Sequence, residues 1–397
     1  MLSVEDAART VAERIEPLPV ERVPLRDARG RVLADEVRAA RALPIFDNSA
    51  MDGYAARAAE LPATLPVAGR VAAGQVMTDE PPPGVAIRIF TGAPMPPGLD
   101  TVVIQEDATA DAEGQHVTLP ASPAGDNIRR AGEDIAPGEI AVTGGSRLGA
   151  GELALLAALG LVEVSVRRGP RVALITTGDE LVDLSTQPLP GQIVDSSSHM
   201  LGALVEQCGG SAHYFGIAKD DPIAMAAMIA SAMDHDAVIT TGGVSVGDRD
   251  YVRAALGTAG VELELWKVAM KPGKPFSFGM NGKIPVFGLP GNPISTFVAF
   301  ELFVRPALLA MQGAAITQRA RAPVHLVRGY RKSAGRIHYV RARVVRNGEY
   351  LIAHPHPKQG SAMLTSLIGC NALVELAADA TEVLPNSLVP ALLLEPV

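Results

Sequence analysis

The chain has 397 residues, 48% of them hydrophobic and 20% charged, which excludes a disordered polymer and leaves room for roughly two to four domains. A net charge of -8 excludes broad electrostatic wrapping of nucleic acid, and two cysteines, Cys208 and Cys370, exclude a disulfide framework. The 39 glycines and 31 prolines follow no three-residue period, so they signal turns rather than a collagen-like fibre.

At the start of the chain, Ser3 followed by Asp6 marks a helix cap, and Val4, Ala8, Val11 and Ile15 fall on one helical face. Met1 to Arg14 mixes acids and bases and lacks the pattern of a secretory leader. Pro17 and Pro19 end the helix. From Leu43 to Asn127 the pattern changes to short β-like runs broken by Pro81-Pro82-Pro83-Gly84 and by Pro94 to Gly98, which predicts an inserted β-rich module. Leu153 to Val162 is apolar but spans only about half a membrane. These features predict a cytoplasmic protein with neither nucleic-acid nor membrane partners.

Beyond Arg171 the rhythm alternates. Strands are predicted at Arg171–Thr177, Ser211–Ile217, Ala237–Thr241, Leu263–Val268 and Ile284–Phe287. Helices are predicted at Ser196–Cys208, Pro222–Met233, Tyr251–Leu256 and Pro293–Met311. Strands apolar on both faces and separated by helices imply a doubly wound parallel sheet. After Gly313 strand patterns return, with Asn347-Gly348 as a hairpin signal, so a C-terminal β-barrel or sandwich is expected. The fold class expected is therefore multidomain α/β.

Ligands of open parallel sheets bind beyond the carboxyl ends of the strands. Two loops are predicted there: Thr176 to Glu180, and Thr240 to Asp248 with Gly242, Gly243, Ser245 and Gly247. Their glycines let backbone approach a ligand closely, although the pattern matches neither standard phosphate fingerprint. All seven lysines follow residue 218, and Lys267, Lys271 and Lys274 cluster around Pro272 and Pro275. Such a clamp suits a phosphate or another oxyanion. Carboxylates gather at the same strand ends: Asp179, Glu180, Asp220, Asp221, Asp248 and Asp250. Asp221 before Pro222 reads as a cap, whereas Glu180 and Asp250 are candidate ligands for Mg²⁺ beside phosphate. Gly288 to Pro293 reads either as a stiff turn or as a wall for a planar ligand, with Asn292 as cap and Pro293 as first helical residue. Asp52 and Asp134 lie in polar, glycine-containing loops and read equally as turn residues or site residues.

These segments together resemble the MoeA family of molybdopterin molybdenumtransferases, which includes the C-terminal domain of gephyrin. The resemblance rests on Asp47–Ala55, Phe90–Pro97, Asp100–Asp107, Asn127–Ile135, Thr176–Leu181, Thr240–Val252, Lys271–Gly279, Gly288–Ser295 and Gln359–Leu367. It implies insertion of molybdate into adenylylated molybdopterin with release of AMP, a Mg²⁺ requirement and an elongated homodimer whose sites draw on both subunits. It also implies four domains: 1–42 with 128–167 as linker and dimerisation unit, 43–127 inserted, 168–313 binding molybdopterin, and 314–397 as barrel. The family's functional positions fall on Asp52, Thr91, Asp134, Glu180, Asp220, Asp250, Lys267, Lys271, Pro290, Pro293 and Ser361. Ser198 stands where relatives commonly carry Asn. By this reading Asp52, Asp134, Glu180 and Asp250 are catalytic, and Glu180 and Asp250 hold the metal. Thr91, Asp220, Gly242, Gly243, Ser245, the three lysines, the two prolines and Ser361 bind substrate. Two alternatives stay open at this point. Arg171 to Met311 also resembles the adenylyltransferase of the preceding step, itself a possible partner along with molybdoenzyme maturation proteins, and a gephyrin-like scaffold needs no chemistry at all.

Overall fold

The computed structural model describes residues 1–242, 251–395 and 397. At its centre lies a six-stranded sheet in the order Ser211–Ala218, Arg171–Thr177, Ala237–Thr241, Ile284–Leu289, Ser277–Asn281, Glu262–Trp266. The first four strands are parallel. Ser277–Asn281 runs antiparallel to both its neighbours, so the five predicted strands share one direction and a single unpredicted, reversed strand is interleaved among them. The reason is the connection: Asn281 pairs with Ile284, so only Gly282 and Lys283 join the two strands, too few for a parallel crossover. Glu262–Trp266 overlaps the strand expected at Leu263–Val268, and Ser277–Asn281 is a strand the sequence pattern did not reveal.

Helices cover both faces. Ser197–Gln207 and the long run from Pro293 to Met311 lie on one face with the first helix, Val4–Arg14. The Ser3 hydroxyl accepts the Asp6 N–H at 2.9 Å, as the cap pattern predicts. Val4, Ala7 and Val11 enter the same core as Leu174, Ile239, Phe287 and Phe303. The other face is covered by Pro222–Ser231 and Tyr251–Thr258. Pro293–Met311 is long and apolar enough to cross a membrane, but 78% of it is buried inside the protein. It is the core helix. A π turn at Phe300–Val304 widens it just before Arg305–Met311, whose second residue, Pro306, has no N–H to give a regular ladder.

The inserted module is a mixed six-stranded sheet, ordered Thr101–Ile104, Gly53–Ala56, Ala86–Ile89, Ala63–Val71, His116–Leu119, Thr109–Ala110. Val20–Pro24 pairs antiparallel with Glu163–Arg167, so residues on both sides of the insertion are held together. In the C-terminal region Ile337–Asn347, Tyr350–Pro355, Arg321–Leu326, Leu388–Leu393 and Ala372–Leu376 close into a barrel. The predicted hairpin forms, with Asn347 pairing Tyr350 across Gly348 and Glu349.

One pairing joins barrel to sheet domain. Met270–Lys271 adds in parallel to Ile337–His338 at the barrel edge. Tyr339, Leu373 and Leu392 of the barrel enter the sheet domain's core from the same side. At this junction His338 is 4% exposed, and burial, then Lys271, Lys332 and Arg336, push its imidazole down to about 4. The unfolded chain binds this proton near the ordinary value of 6.5, so the stabilising preference for neutral imidazole is complete above 6.5 and is lost as pH falls toward 4. Allowing for water in the adjoining cavity, the loss is about 2 kcal/mol. His338→Gln should therefore narrow the difference in urea midpoint between pH 7.5 and pH 5 relative to the unaltered protein. An unchanged difference would show that His338 does not contribute to acid sensitivity.

Candidate active site

The parallel strands end at Thr177, Ala218, Thr241 and Leu289, and the loops leaving them converge on a cavity of about 530 Å³. Glu180, Asp220, Gly242, Pro290 and Pro293 all line it, as the sequence predicts. Its floor requires glycine. Gly242 has φ +88, and a Cβ there would lie 2.3 Å from the Thr177 carbonyl oxygen. Gly291 packs against it, since a Cβ there would stand 3.3 Å from the Gly242 Cα. The Thr177 hydroxyl donates to the Thr241 carbonyl at 2.8 Å and locks these two neighbouring strand ends together. On the far wall the Thr296 hydroxyl donates to the Pro290 carbonyl and, at 3.1 Å, to the Asn292 carbonyl. Asn292 holds the cap position with Pro293 after it, but its side chain makes no capping bond.

Three carboxylates point to different tasks. Glu180 is exposed at the cavity edge. The Asp179 carboxylate accepts the Asp220 N–H at 3.2 Å, tying the first acidic loop to the second. Asp221 accepts the Ala224 N–H at 2.7 Å and is the cap predicted. Asp195 lines the cavity too, yet it is 3% exposed and fully engaged. One of its oxygens accepts the Ser197 and Ser198 N–H groups; the other accepts the Thr176 and Tyr214 hydroxyls at 3.0 and 3.1 Å. This buried carboxyl group organises the strand end and the helix start, and the Asp-Ser-Ser run at a helix start was the signal for it. Gly243, Ser245 and Asp250 lie outside the described residues.

A second cavity, about 430 Å³, opens between sheet and barrel and shares Pro275 with the first. Lys271, Lys274 and Ser361 line it, together with Arg336, His338 and Arg341. Ser361 and Ala362 face one cavity each, and the Ser361 carbonyl accepts the Ile294 N–H at 3.1 Å. Among the described residues no acidic side chain lines this space. Lys271, Lys274 and Arg336 form no ion pair with any described carboxylate. Arg341 is fully buried, and its guanidinium donates to the Ser366 hydroxyl and to the Lys358 and Gly360 carbonyls, shaping the loop that carries Ser361. Lys267 lines neither cavity; it has φ +74, and its N–H donates to the Phe276 carbonyl at 2.9 Å. Sequence reasoning missed Arg336 and His338, because nothing local reveals that the barrel edge meets the lysine segment.

The remaining candidates stay in the insertion and beside it. The Asp52 carboxylate accepts the Thr91 N–H at 2.8 Å and its hydroxyl at 2.7 Å. These bonds, chiefly the backbone one, and then Arg88 hold Asp52 below the usual carboxylate range. Arg88 is itself clamped between the Tyr54 and Phe90 rings, 4.9 Å from each, and donates to the Gly53 carbonyl. Asp134 is exposed, with its N–H bonded to the Leu43 carbonyl. Asp47 reaches the same turn through the Ala131 N–H and Arg130. Asp52, Thr91 and Asp134 line neither of the two cavities.

Comparison with known proteins accounts for the whole arrangement. Residues 2–160 match the MoeA N-terminal region (domain I and II), 173–310 a probable molybdopterin binding domain, and 323–394 the MoeA C-terminal region (domain IV). The chain is 34% identical over 388 residues to a molybdopterin molybdenumtransferase of Haemophilus influenzae, covering 96% of this chain and 95% of that protein. It is 37% identical over 396 residues to molybdopterin molybdenumtransferase 2 of Mycobacterium tuberculosis, covering 96% and 97%. The crystal structure of the molybdopterin biosynthesis moeA protein from Pyrococcus horikoshii OT3 superposes with a TM-score of 0.86 at 30% identity, covering 99% of this chain and 100% of that one. The adenylyltransferase alternative, which needs only the central sheet domain, leaves the two flanking matches without a purpose. The chain belongs to the MoeA family of molybdopterin molybdenumtransferases.

Proposed function

We propose that this protein inserts molybdate into the dithiolene of adenylylated molybdopterin, releasing AMP and the finished molybdenum cofactor. The observation that carries the reading is the adjacency of two unlike cavities, one carboxylate-edged at the strand ends and one purely cationic. Both substrates are anions, so an acidic chain must supply local positive charge to bring them together. Lys271 and Lys274 supply it from a proline-flanked segment anchored to the barrel. The strand-end cavity has the glycine floor and the Pro290–Pro293 wall suited to a pterin and its nucleotide. The cationic cavity suits the tetrahedral metalate, with Ser361 as a neutral donor. No nucleophilic cysteine is called for: Cys208 is 3% exposed and burial pushes its thiol up to about 11.

The carboxylates fit a magnesium ion in one specific way. Among the described residues no group of three acids, histidines or cysteines converges on one point. Mg²⁺ needs only one or two carboxylates when phosphate and water complete its shell. Glu180, with Asp250, would hold it, and when bound it would neutralise the pyrophosphate as AMP departs. Asp220 sits on the same rim and orders the acidic loops through its N–H.

Asp52 and Asp134 need a route to that crevice, and a homodimer provides one. Ile45, Phe46 and Met51, which flank the Asp47–Asp52 turn, are 55%, 47% and 42% exposed, an apolar surface suited to a second copy. An adenylyltransferase would supply the substrate and molybdoenzyme maturation proteins would take the product, all within the cytoplasm.

The direct test is AMP release by the purified protein when molybdate is added to adenylylated molybdopterin; no release would remove the proposal. Glu180→Gln should slow that release on the order of 10–100-fold, partly restored by raising Mg²⁺, with the melting temperature unchanged. Restoration is the decisive readout, because a merely structural role would not respond to the ion. Lys274→Ala should weaken anion binding by about 1.5–3 kcal/mol and flatten its salt dependence; equal salt slopes would place the charge elsewhere. Asp52→Asn should bind adenylylated molybdopterin normally yet turn over slowly. Loss of pterin affinity in a folded Asp52→Asn protein would instead make the insertion part of the pterin pocket.

A further inference from the structure

The cationic cavity contains one group that none of the preceding roles uses. His338 is 4% exposed, lines the cavity, and makes no side-chain hydrogen bond to any described residue. Its backbone is fixed from both sides: His338 pairs with Lys271 of the sheet domain and with Leu376 of the barrel. The Tyr330 ring stands edge-on, 6.3 Å away between centroids, and closes one side without offering the imidazole a hydrogen bond. A buried side chain with two unpartnered ring nitrogens at a cavity wall is a poor packing choice unless something in the cavity pairs with it.

The groups around the ring are uniformly of one kind. Lys271 and Lys274 come from the proline-flanked segment, Arg341 from its own strand and Arg336 from the residue just before that strand. Tyr330 comes from the neighbouring short strand, Ser295 from the core helix, and Gln359 and Ser361 from the loop that follows the hairpin. Lys332 lies behind the cavity, its ammonium spent on the Ser333, Arg336 and Ala378 carbonyls. None of these groups is an anion at neutral pH. Largely buried and beside several cations, the free imidazole stays neutral.

Neutral imidazole donates one hydrogen bond and turns a lone pair outward on its other nitrogen. A dianion reverses the field that keeps the ring neutral: it offsets the nearby ammonium and guanidinium charges and offers an acceptor. We propose that His338 is an oxyanion-binding residue that takes up a proton as a tetrahedral dianion enters the cavity, so that the site binds molybdate more tightly as pH falls. The inference rests on the reading of this cavity as the metalate site and adds to it a residue and a regulation. The proton comes from solvent and returns to it when the anion leaves, so no bond other than N–H is made or broken. The sign follows from linkage: the complex holds more protons than the free protein, so affinity must rise with acidity.

The measurement is isothermal calorimetry of sodium molybdate binding to the full chain between pH 8 and pH 6, in buffers of different ionisation enthalpy. Proton uptake should be nonzero near pH 6.5, and the dissociation constant should fall about three- to tenfold across the range, since one linked proton allows at most tenfold per pH unit. His338→Gln keeps a donor but cannot titrate, so its affinity should be independent of pH and its binding free of proton uptake. Buffer-independent heats with the unaltered protein overturn the proposal even if that variant fails to fold. A pH slope retained in His338→Gln overturns it as well. Lys271→Ala with Lys274→Ala separates the two levels. If that double variant binds molybdate normally, the cavity is not the metalate site and the functional reading fails. If it loses binding while the His338 variant keeps its slope, the reading stands and only the histidine's role falls.

Discussion

The strand pairing between Met270–Lys271 and Ile337–His338 is the contact on which the site depends. It is only two residues long, yet it carries backbone from the sheet domain into the barrel edge and sets Lys271 beside His338. A buried core spanning both domains backs it, with Tyr339, Leu373 and Leu392 packed into the cluster that holds Phe276 and Phe303. Those two phenylalanines stack 4.3 Å apart directly beyond the lysine segment. Cations that would otherwise wave in solvent are therefore held at fixed positions, and their mutual repulsion is offset by apolar burial nearby rather than by counter-charges. Such an arrangement is electrostatically unsatisfied in the free protein, and a bound anion would relieve it.

The strand-end cavity follows the opposite logic. Its buried acid, Asp195, is fully hydrogen-bonded, and Glu180 is exposed at the rim. Its shape comes from backbone rather than side chains. Gly242 and Gly291 lie almost in contact, the Thr177 hydroxyl ties two strand ends together, and the Thr296 hydroxyl braces the Pro290–Asn292 turn against its own helix. A larger residue at either glycine would push two loops apart together. Rigidity of this kind suits a ligand whose planar ring and phosphates must meet a second anion at a set distance.

The insertion has its own small electrostatic unit. Asp52 is ionised and oriented by Thr91, and Arg88 is fixed by two aromatic rings and by the Gly53 carbonyl. Such a preset carboxylate sits on a module that lines neither cavity of its own chain.

Much of this protein was determined locally and could be read from the chain. The strand Arg171–Thr177, the caps at Ser3 and Asp221 and the Asn347–Tyr350 hairpin depend on neighbours within a few residues, where periodicity and capping act. The convergence of Glu180, Asp220, Gly242, Pro290 and Pro293 was legible because parallel strands must end on one side of a sheet. The reversed strand beside the sheet edge was not, since Ser277–Asn281 is buried and short and only its turn reveals its direction. Nor was the cationic cavity. Lys271 and His338 are far apart along the chain, and no local signal records that a barrel edge will accept a strand from another domain. Which groups become neighbours there is decided by long-range packing, and so are the neutral state of His338 and the charge that surrounds it.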